Sequence, residues 1–220
     1  MHSLSVEERR TLDRVLRELE NGMQTFRQAA PFITIYGSAR IPEGDPAYEM
    51  GMEVAAELVK LGFAVMTGGG PSIMEAGNRG AQQAGGISAG CHIHLEREQQ
   101  ANQYLDLRAD FHDLFTRKFI LRNFSAGFVA LPGGFGTLDE LFEILTLIQT
   151  GEIKGPLVLM GKDFWEPLLE FMRSKLCEQY KTISAEDLKL FYVTDNPKEA
   201  AQYIAAQVRG VNPNTPKGVL

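Results

Sequence analysis

The sequence has few of the features that mark secreted or membrane-bound proteins. It contains only two cysteines in 220 residues, Cys91 and Cys177, which lie far apart and outside any C-x-x-C or Cys/His cluster with zinc spacing. No apolar segment approaches the roughly 18 residues of a membrane span, and the first residues are charged where a signal peptide would be apolar. We therefore predict a cytoplasmic protein with no membrane partner.

Positive charge is also scarce. The chain carries 22 Lys and Arg against 28 Asp and Glu, for a net charge of -6, and no basic run is longer than a dipeptide. Proteins that bind nucleic acids obtain much of their affinity by neutralising phosphates, so this balance argues against a nucleic-acid partner. A small anionic ligand remains compatible with it, because a local patch is enough to hold one phosphate.

Histidine is rare as well, with 4 residues in the chain. His92 and His94 flank Ile93 and lie on one side of a predicted strand, so they are able in principle to bind a metal ion. A metal site normally needs at least a third protein ligand, and the sequence shows none nearby. We therefore predict structural histidines and no metal.

The remaining pattern alternates short strands with helices. With 44% hydrophobic residues, the chain is expected to form one domain with a sizeable core. The predicted strands are Phe32–Tyr36, Phe63–Thr67, Ile87–Ile93, Gly127–Leu131, Pro156–Met160 and Phe191–Thr194, with a further short one around Tyr104–Leu107. The predicted helices are Tyr48–Leu61, Ser72–Ala84, Phe111–Phe124, Leu138–Thr150, Phe164–Tyr180 and Pro197–Val208. This order predicts an α/β fold, a doubly wound Rossmann-like parallel sheet flanked by helices.

The two ends of the chain are predicted to lie outside this domain, which we assign to residues 31–209. Residues 1–30 form an N-terminal helical extension, in which Ser5 and Glu8 make a capping box and Leu12, Val15, Leu16 and Leu19 share one face. Such a helix covers a sheet face or packs on another subunit, and the sequence leaves both open. Residues 210–220 contain two prolines and are expected to be a flexible tail.

The segment from Phe128 to Glu143 is the most informative for function. An apolar strand ends at Pro132, a glycine turn follows, and helical spacing resumes at Thr137. Unpaired N–H groups at such a helix start hold phosphates well, and we predict this role for Gly133, Gly134, Gly136 and Thr137. A simpler explanation is a capping box between Thr137 and Glu140, although a capping box has no need of three glycines.

Two further glycine loops follow predicted strands, Gly37–Arg40 and Thr67–Ser72. Ligands of doubly wound sheets bind at the carboxyl ends of strands, so all three loops are able to line one cleft. Two common nucleotide motifs are missing: the first loop has a single glycine where a dinucleotide fingerprint needs three, and no glycine precedes Lys-Ser or Lys-Thr as in a Walker A loop. We therefore predict no nicotinamide cofactor and no P-loop.

Three motifs together resemble the LOG family, whose members hydrolyse cytokinin riboside 5'-monophosphates to the free base and ribose 5-phosphate. Residues 132–140 match the signature P-G-G-x-G-T-x-x-E, residues 68–76 are similar to G-G-G-x-x-x-M-E-A, and Arg117-Lys118 is similar to the R-K pair. The first loop, G-S-A-R, is similar to the longer branch of the family. Asp139 stands where many members have Glu, and Leu114-Phe115-Thr116 replaces a Met-His-x of short forms, which leaves the base preference open.

The resemblance implies a function and a set of site residues. It implies catalytic roles for Arg117 and Glu140, phosphate contacts for Gly133, Gly134, Gly136 and Thr137, and ribose or base contacts for Ser38, Gly69, Gly70, Glu75 and Lys118. It also implies a nucleoside monophosphate substrate, no cofactor and a homo-oligomer. Members have been labelled lysine decarboxylases, but no pyridoxal phosphate site is evident. Two alternatives stay open, a general nucleotide 5'-monophosphate nucleosidase and a non-catalytic carrier of a nucleotide or the molybdenum cofactor.

Overall fold

The computed structural model describes residues 4–27, 29, 31–94 and 100–210, and over these residues it forms one seven-stranded parallel sheet. The strands are β1 (Phe32–Tyr36), β2 (Ala64–Thr67), β3 (Ser88–Ile93), β4 (Leu107–Phe111), β5 (Ser125–Ala130), β6 (Leu157–Met160) and β7 (Tyr192–Thr194). Their order across the sheet is β4-β3-β2-β1-β5-β6-β7. From β1 the chain adds β2, β3 and β4 toward one edge of the sheet. It then adds β5, β6 and β7 toward the other edge, so the order of strand addition changes direction between the parallel neighbours β1 and β5. This is the switch point at which doubly wound folds bind ligands.

Seven α-helices cover the two faces of the sheet within the described residues. They are α1 (Val6–Phe26), α2 (Pro46–Lys60), α3 (Ile73–Gln83), α4 (Leu114–Asn123), α5 (Phe135–Gln149), α6 (Lys162–Phe171) and α7 (Pro197–Gly210). One core layer contains residues of α1, α4, α5 and α6, among them the fully buried Trp165. The other contains residues of α2, α3 and α7. The predicted doubly wound α/β class is therefore confirmed.

Strand composition explains why the sheet is buried on both faces. All residues of β1, β2, β3 and β6 are buried, and β1 reads as a run of aromatic and β-branched residues. Parallel strands covered by helices on both sides show such continuous apolar runs instead of alternation. The edge strand β4 differs, because on it Arg108 is exposed and Asp110 is only partly buried.

The N-terminal helix α1 is attached to the domain through its second half. Its start is fixed by the predicted capping box, in which Ser5 and Glu8 bond each other's backbone N–H. Further along, Gly22 lies against Ile120 so closely that a Cβ there would come within 2.7 Å of it. Phe26 is buried and packs edge-on against Phe32. Of the two placements that the sequence leaves open, contact with the body of the fold is present, and the residues of the first half of α1 are almost all exposed.

Several predicted boundaries were wrong. The strand expected around Tyr104–Leu107 is β4, three residues later, and Phe111 is its last residue instead of the start of a helix. Helix α4 begins only after Asp113, whose carboxylate accepts a hydrogen bond from the N–H of Phe115. The predicted helix over 164–180 is α-helical only as far as Phe171 and continues as a π-helical segment, Met172–Gln179.

The predicted tail lies almost entirely outside the described residues, since α7 continues to Gly210 and residues 211–220 are not described. Among the helices that the structure describes, none is both long enough and apolar enough to cross a membrane.

Candidate active site

The three glycine loops predicted to share a cleft are joined by hydrogen bonds through one residue, Ser38. Its N–H donates to the carbonyl of Pro132 at 3.0 Å, and its carbonyl accepts from the N–H of Ile73 at 3.1 Å. A third bond links the neighbouring segments, because the Ser72 hydroxyl donates to the carbonyl of Ile41 at 2.6 Å. The loops after β1, β2 and β5 therefore form one continuous surface at the switch point.

The start of α5 is an uncapped helix N-terminus. Gly134 is the N-cap residue, and no side chain bonds the first-turn N–H groups among the described residues. The first N–H groups of a helix have no partner inside the helix, and the helix dipole adds positive potential there. This arrangement suits an anion such as a phosphate.

Gly134 and Gly136 border space that the described part of the chain does not fill. A Cβ placed on Gly134 or Gly136 would meet no atom of the described residues within 4 Å, and neither glycine has a positive φ. Backbone conformation and packing therefore give no reason for glycine at these two positions. The space above them is open to a ligand approaching the backbone closely.

In contrast to Gly134 and Gly136, Gly133 lies in close contact with the side chain of Thr137. A Cβ on Gly133 would lie 2.1 Å from Oγ1 of Thr137, so a side chain at 133 would displace the hydroxyl. Thr137 is the third residue of α5, not its cap, and the helix begins three residues before the predicted start. The simpler explanation of Thr137 and Glu140 as a capping box is therefore wrong, because the cap is Gly134.

Helix geometry brings Glu140 under the open glycines. Gly136 and Glu140 are four residues apart on α5, so they share a face and are separated by one turn of about 5.4 Å. Side chains lean toward the N-terminus of a helix, which points Glu140 toward the phosphate position. Its side chain is 13% exposed. Asp139 lies 56% exposed on a neighbouring face and binds Lys118 at 2.9 Å.

Arg117 is held in one orientation beside Glu140. From α4, its Nε donates to the carbonyl of Cys91 at 2.8 Å and one terminal nitrogen donates to that of Gly68 at 3.4 Å. The other terminal nitrogen lies 3.7 Å from Oε1 of Glu140. Gly68 leaves room for this guanidinium, since a Cβ there would come within 2.0 Å of it. The two residues predicted to be catalytic are thus in contact, with side chains only 11% and 13% exposed.

The environment of Glu140 changes its acidity. Burial raises its pKa from 4.5 to about 7, with Asp139 and Glu143 acting in the same direction, while the positive charges of Arg117 and Lys118 lower it. A carboxyl group near half-ionisation at neutral pH is suited to proton transfer. The raised pKa also shows that Arg117 only partly offsets the cost of burying the charge.

The loop after β2 is fixed by polar residues that the sequence reading did not single out. The backbone N–H of Asn102 donates to the carbonyl of Gly69, and its amide donates to that of Gly70. The same amide reaches the buried Asn78 at 2.9 Å. Buried polar side chains that are fully bonded hold a loop in one conformation. No motif marks Asn102, because its role depends on a fold contact across 32 residues.

The other residues predicted to contact the ribose or base differ in burial and in hydrogen bonding. Gly69 and Gly70 are buried, and Gly69 has a φ of +71°, which explains glycine there. Glu75 is half-buried and accepts a hydrogen bond from the Tyr48 hydroxyl at 3.3 Å. Lys118 is bound by Asp139 and also by Glu143 at 3.4 Å, so in this structure it links α4 to α5.

Comparison with known proteins agrees with the motifs. The family model described as "Possible lysine decarboxylase" matches residues 74–204. The cytokinin riboside 5'-monophosphate phosphoribohydrolase of Mycobacterium tuberculosis is 30% identical over 79% of this chain and 92% of its own length. The enzyme LOG of rice is 30% identical over 65% of this chain, and the match spans 59% of the rice protein.

A solved structure supports the fold alone. The molybdenum cofactor carrier protein of Chlamydomonas reinhardtii superimposes with a TM-score of 0.62 over 82% of this chain and 99% of its own, at 22% identity. With the family model covering more than half of the chain, and with relatives of this kind, the chain belongs to the LOG family.

Proposed function

We propose that this protein hydrolyses the N-glycosidic bond of cytokinin riboside 5'-monophosphates, releasing the free base and ribose 5-phosphate. The observation that carries the proposal is Glu140, which is 13% exposed, has a pKa of about 7 and lies one turn after Gly136 at the uncapped start of α5. The phosphate would bind the open amides of α5. The ribose would then lie beside the carboxyl group of Glu140.

The chemistry requires a negative group near the anomeric carbon. As the C1'–N bond breaks, its electron pair leaves with the base and positive charge builds on the sugar, as in glycoside hydrolysis. Water adds to C1', and its proton is finally carried by the base. In its ionised form, Glu140 would stabilise the developing charge or take the proton from water. Arg117 would hold Glu140 in place and contact the phosphate, the ribose or the departing base.

The phosphate position would also explain a preference for nucleotides over nucleosides. Hydrogen bonds to a charged group contribute about 1.5–3 kcal/mol each, so a nucleoside lacking the phosphate would lose much of its binding energy. Equal kcat/KM for isopentenyladenosine and its 5'-monophosphate would contradict this part of the proposal.

The direct test compares Glu140→Gln and Arg117→Ala with Asp139→Asn, an adjacent and exposed acidic residue. Base release from AMP and from isopentenyladenosine monophosphate is followed by chromatography. We expect kcat to fall by about 10²–10⁴-fold in Glu140→Gln, the usual contribution of an acid–base group, and Asp139→Asn to stay near wild type. Wild-type turnover in Glu140→Gln or Arg117→Ala would remove the role assigned to that residue.

Two other functions are separated by the same assay. A mixture of nucleoside monophosphates that is hydrolysed without preference for the N6-modified base would show a general nucleosidase. A carrier of the molybdenum cofactor, the function in the name of the Chlamydomonas structure, would co-purify with a pterin and release no base. The Arg117–Glu140 pair favours catalysis, because a carrier has no need of a buried charged pair beside the sugar.

The proposed location is the cytoplasm. Both cysteines are free in the structure, Cys91 in the core and Cys177 partly buried, which suits a reducing compartment.

A further inference from the structure

A second group of side chains with metal-binding chemistry lies at the edge of the sheet. His92 on β3 is in register with Asp110 on β4, so the two side chains are neighbours across a parallel strand pair. His94 follows His92 by two positions and its backbone N–H bonds the carbonyl of Phe111, which continues the pairing. Side chains two residues apart in a strand point to the same face, so all three converge.

Two of the three distances between donor atoms are close to those of a zinc shell. Oδ1 of Asp110 lies 3.1 Å from Nδ1 of His92 and 3.3 Å from Nε2 of His94, and the three donor atoms all lie within 4.8 Å of one another. In a tetrahedral site with bonds of about 2.0–2.1 Å, ligand atoms are about 3.3–3.4 Å apart. An ion would therefore need only small movements of the side chains.

We propose that His92, His94 and Asp110 bind a Zn²⁺ ion. Two imidazoles and one carboxylate are ligands that zinc commonly takes, and three protein ligands leave a fourth position for water. The His92 side chain is 6% exposed, whereas those of His94 and Asp110 are 44% and 40% exposed, which gives the ion a route from solvent. The sequence reading of two structural histidines depended on the absence of a third ligand, and the fold supplies Asp110.

The neighbouring charges define the competing explanation. Arg108 donates two hydrogen bonds to Oδ1 of Asp110, at 3.0 Å from Nε and 2.5 Å from a terminal nitrogen. The same residues are thus able to form an ion-pair network without any metal. Both of these bonds and both histidine contacts fall on the same oxygen, Oδ1, so an ion that binds Oδ1 requires Arg108 to move to the second carboxylate oxygen, which is also an acceptor. His112 stacks on His94 at 4.8 Å, but its Nδ1 lies 3.2 Å from Glu18 on α1. It therefore serves as a control histidine outside the proposed ligand set.

An ion at this position would stabilise the pairing of the edge strand β4 with β3. β4 is the last strand of the sheet and pairs only with β3 among the described strands. Metal bonds between His92 and His94 on one side and Asp110 on the other would oppose separation of the two strands. Because an ion that binds only the folded state stabilises it, added Zn²⁺ should raise the Tm.

The test uses full-length protein freed of metal with a chelator and then dialysed. Titration calorimetry with ZnCl₂ should show one equivalent bound, Zn²⁺ should raise the Tm, and Co²⁺ in its place should give the visible absorption of a tetrahedral site. His94→Ala and Asp110→Asn should each weaken Zn²⁺ binding by at least about 100-fold, since loss of an outer partner alone costs 10–100-fold. His112→Ala should bind Zn²⁺ as wild type does.

Each contrary result overturns the proposal. Absence of Zn²⁺ binding to the wild type would leave an ion-pair network only. Equal binding to the wild type, His94→Ala and Asp110→Asn would place the ion elsewhere. Circular dichroism of the variants checks that they fold, and the test does not depend on the hydrolase proposal because calorimetry and Tm report binding directly.

Discussion

Glu140 and Asp139 are adjacent acidic residues with opposite environments. Glu140 is 13% exposed and lies beside Arg117, whereas Asp139 is 56% exposed and lies beside Lys118. The difference follows from the helix, because neighbouring residues point about 100° apart and only one of them faces the glycine loop. The sequence alone does not distinguish Asp139 from Glu140. Their positions around the axis of α5 make Glu140 the one that is placed to act on a ligand bound at the glycine loop.

The pH dependence of activity should report the acidity of Glu140. Its pKa is raised to about 7, so the group is protonated below that pH, and a reaction that uses the carboxylate must lose rate as pH falls through about 7. We expect kcat/KM to rise with pH through a midpoint near 7. Asp139→Asn should move the midpoint downward, because the charge of Asp139 raises the pKa of Glu140.

Profiles for the wild type and Asp139→Asn are measured with the same monophosphate, so the titration of the substrate phosphate is common to both. A flat wild-type profile between about pH 5 and 9 would contradict an ionised Glu140 as the active form.

The glycines of the α5 start should separate binding from stability. Gly134→Ala and Gly136→Ala place a methyl group in open space, so we expect the Tm to change by only a few degrees. The KM for the monophosphate should rise by about 10-fold or more, the equivalent of one lost charged hydrogen bond. Steady-state kinetics and thermal unfolding measure the two effects.

Gly133→Ala provides the contrast, because its Cβ would lie 2.1 Å from Oγ1 of Thr137. This variant should lose stability as well as substrate affinity. If Gly134→Ala and Gly136→Ala bind the monophosphate as tightly as the wild type, the phosphate does not occupy the start of α5.

At the scale of elements, one buried acidic residue of α1, Glu18, adds hydrogen bonds to the apolar contacts that join this helix to the fold. Glu18 accepts hydrogen bonds from the backbone N–H of His112 at 2.9 Å, from the His112 ring and from the Thr116 hydroxyl. Loss of a bonded buried group costs about 1–3 kcal/mol, so Glu18→Ala should destabilise the packing of α1 by about that amount. Urea unfolding and hydrogen exchange of α1 measure the change.

Glu20→Ala is the control, since Glu20 is exposed on the same helix. It should leave both measurements near wild type. Equal behaviour of Glu18→Ala and Glu20→Ala would show that apolar contacts alone attach α1.

Element boundaries show what the sequence was able to predict. The predicted and observed ends of β1 are the same. A central parallel strand is buried on both faces, so its whole length appears in the sequence as one apolar run. β4 was misplaced because Arg108 and Asp110 break its apolar run, and its strand conformation depends on pairing with β3. The start of α5 was placed too late because glycine has a low helix propensity, which the tertiary contacts of this helix override.

The candidate site likewise contains residues that the sequence predicts and contacts that it does not predict. Motifs located Arg117, Glu140 and the glycine loops, since each depends on residues close together in sequence. The support of those loops by Asn102 and Asn78, and the approach of Asp110 to the two histidines, depend on contacts between distant segments. Such contacts leave no local pattern in a single sequence.

At the scale of the whole molecule, we expect a homo-oligomer in which α1 contacts a second copy. In the first half of α1, Leu12 and Leu16 are 49% and 58% exposed. Leucines repeated on one face of an exposed helix usually mark a contact surface. A Leu12→Asp, Leu16→Asp double variant should lower the mass measured by light scattering after gel filtration.

Arg14→Asp on the same helix introduces an acidic residue at another exposed position and should keep the wild-type mass. A wild-type protein that is monomeric at all concentrations, or a double variant with unchanged mass, would exclude this assembly.

Ser38 has a consequence for how a ligand is received. Because it bonds Pro132 on one side and Ile73 on the other, none of the three segments is able to shift without breaking a bond or carrying its neighbours along. An incoming molecule therefore meets a receptor already in shape, and little of its binding energy is consumed by ordering the walls. Ser38→Gly would retain both main-chain bonds. The rigidity therefore comes from the backbone and does not depend on which side chains surround it.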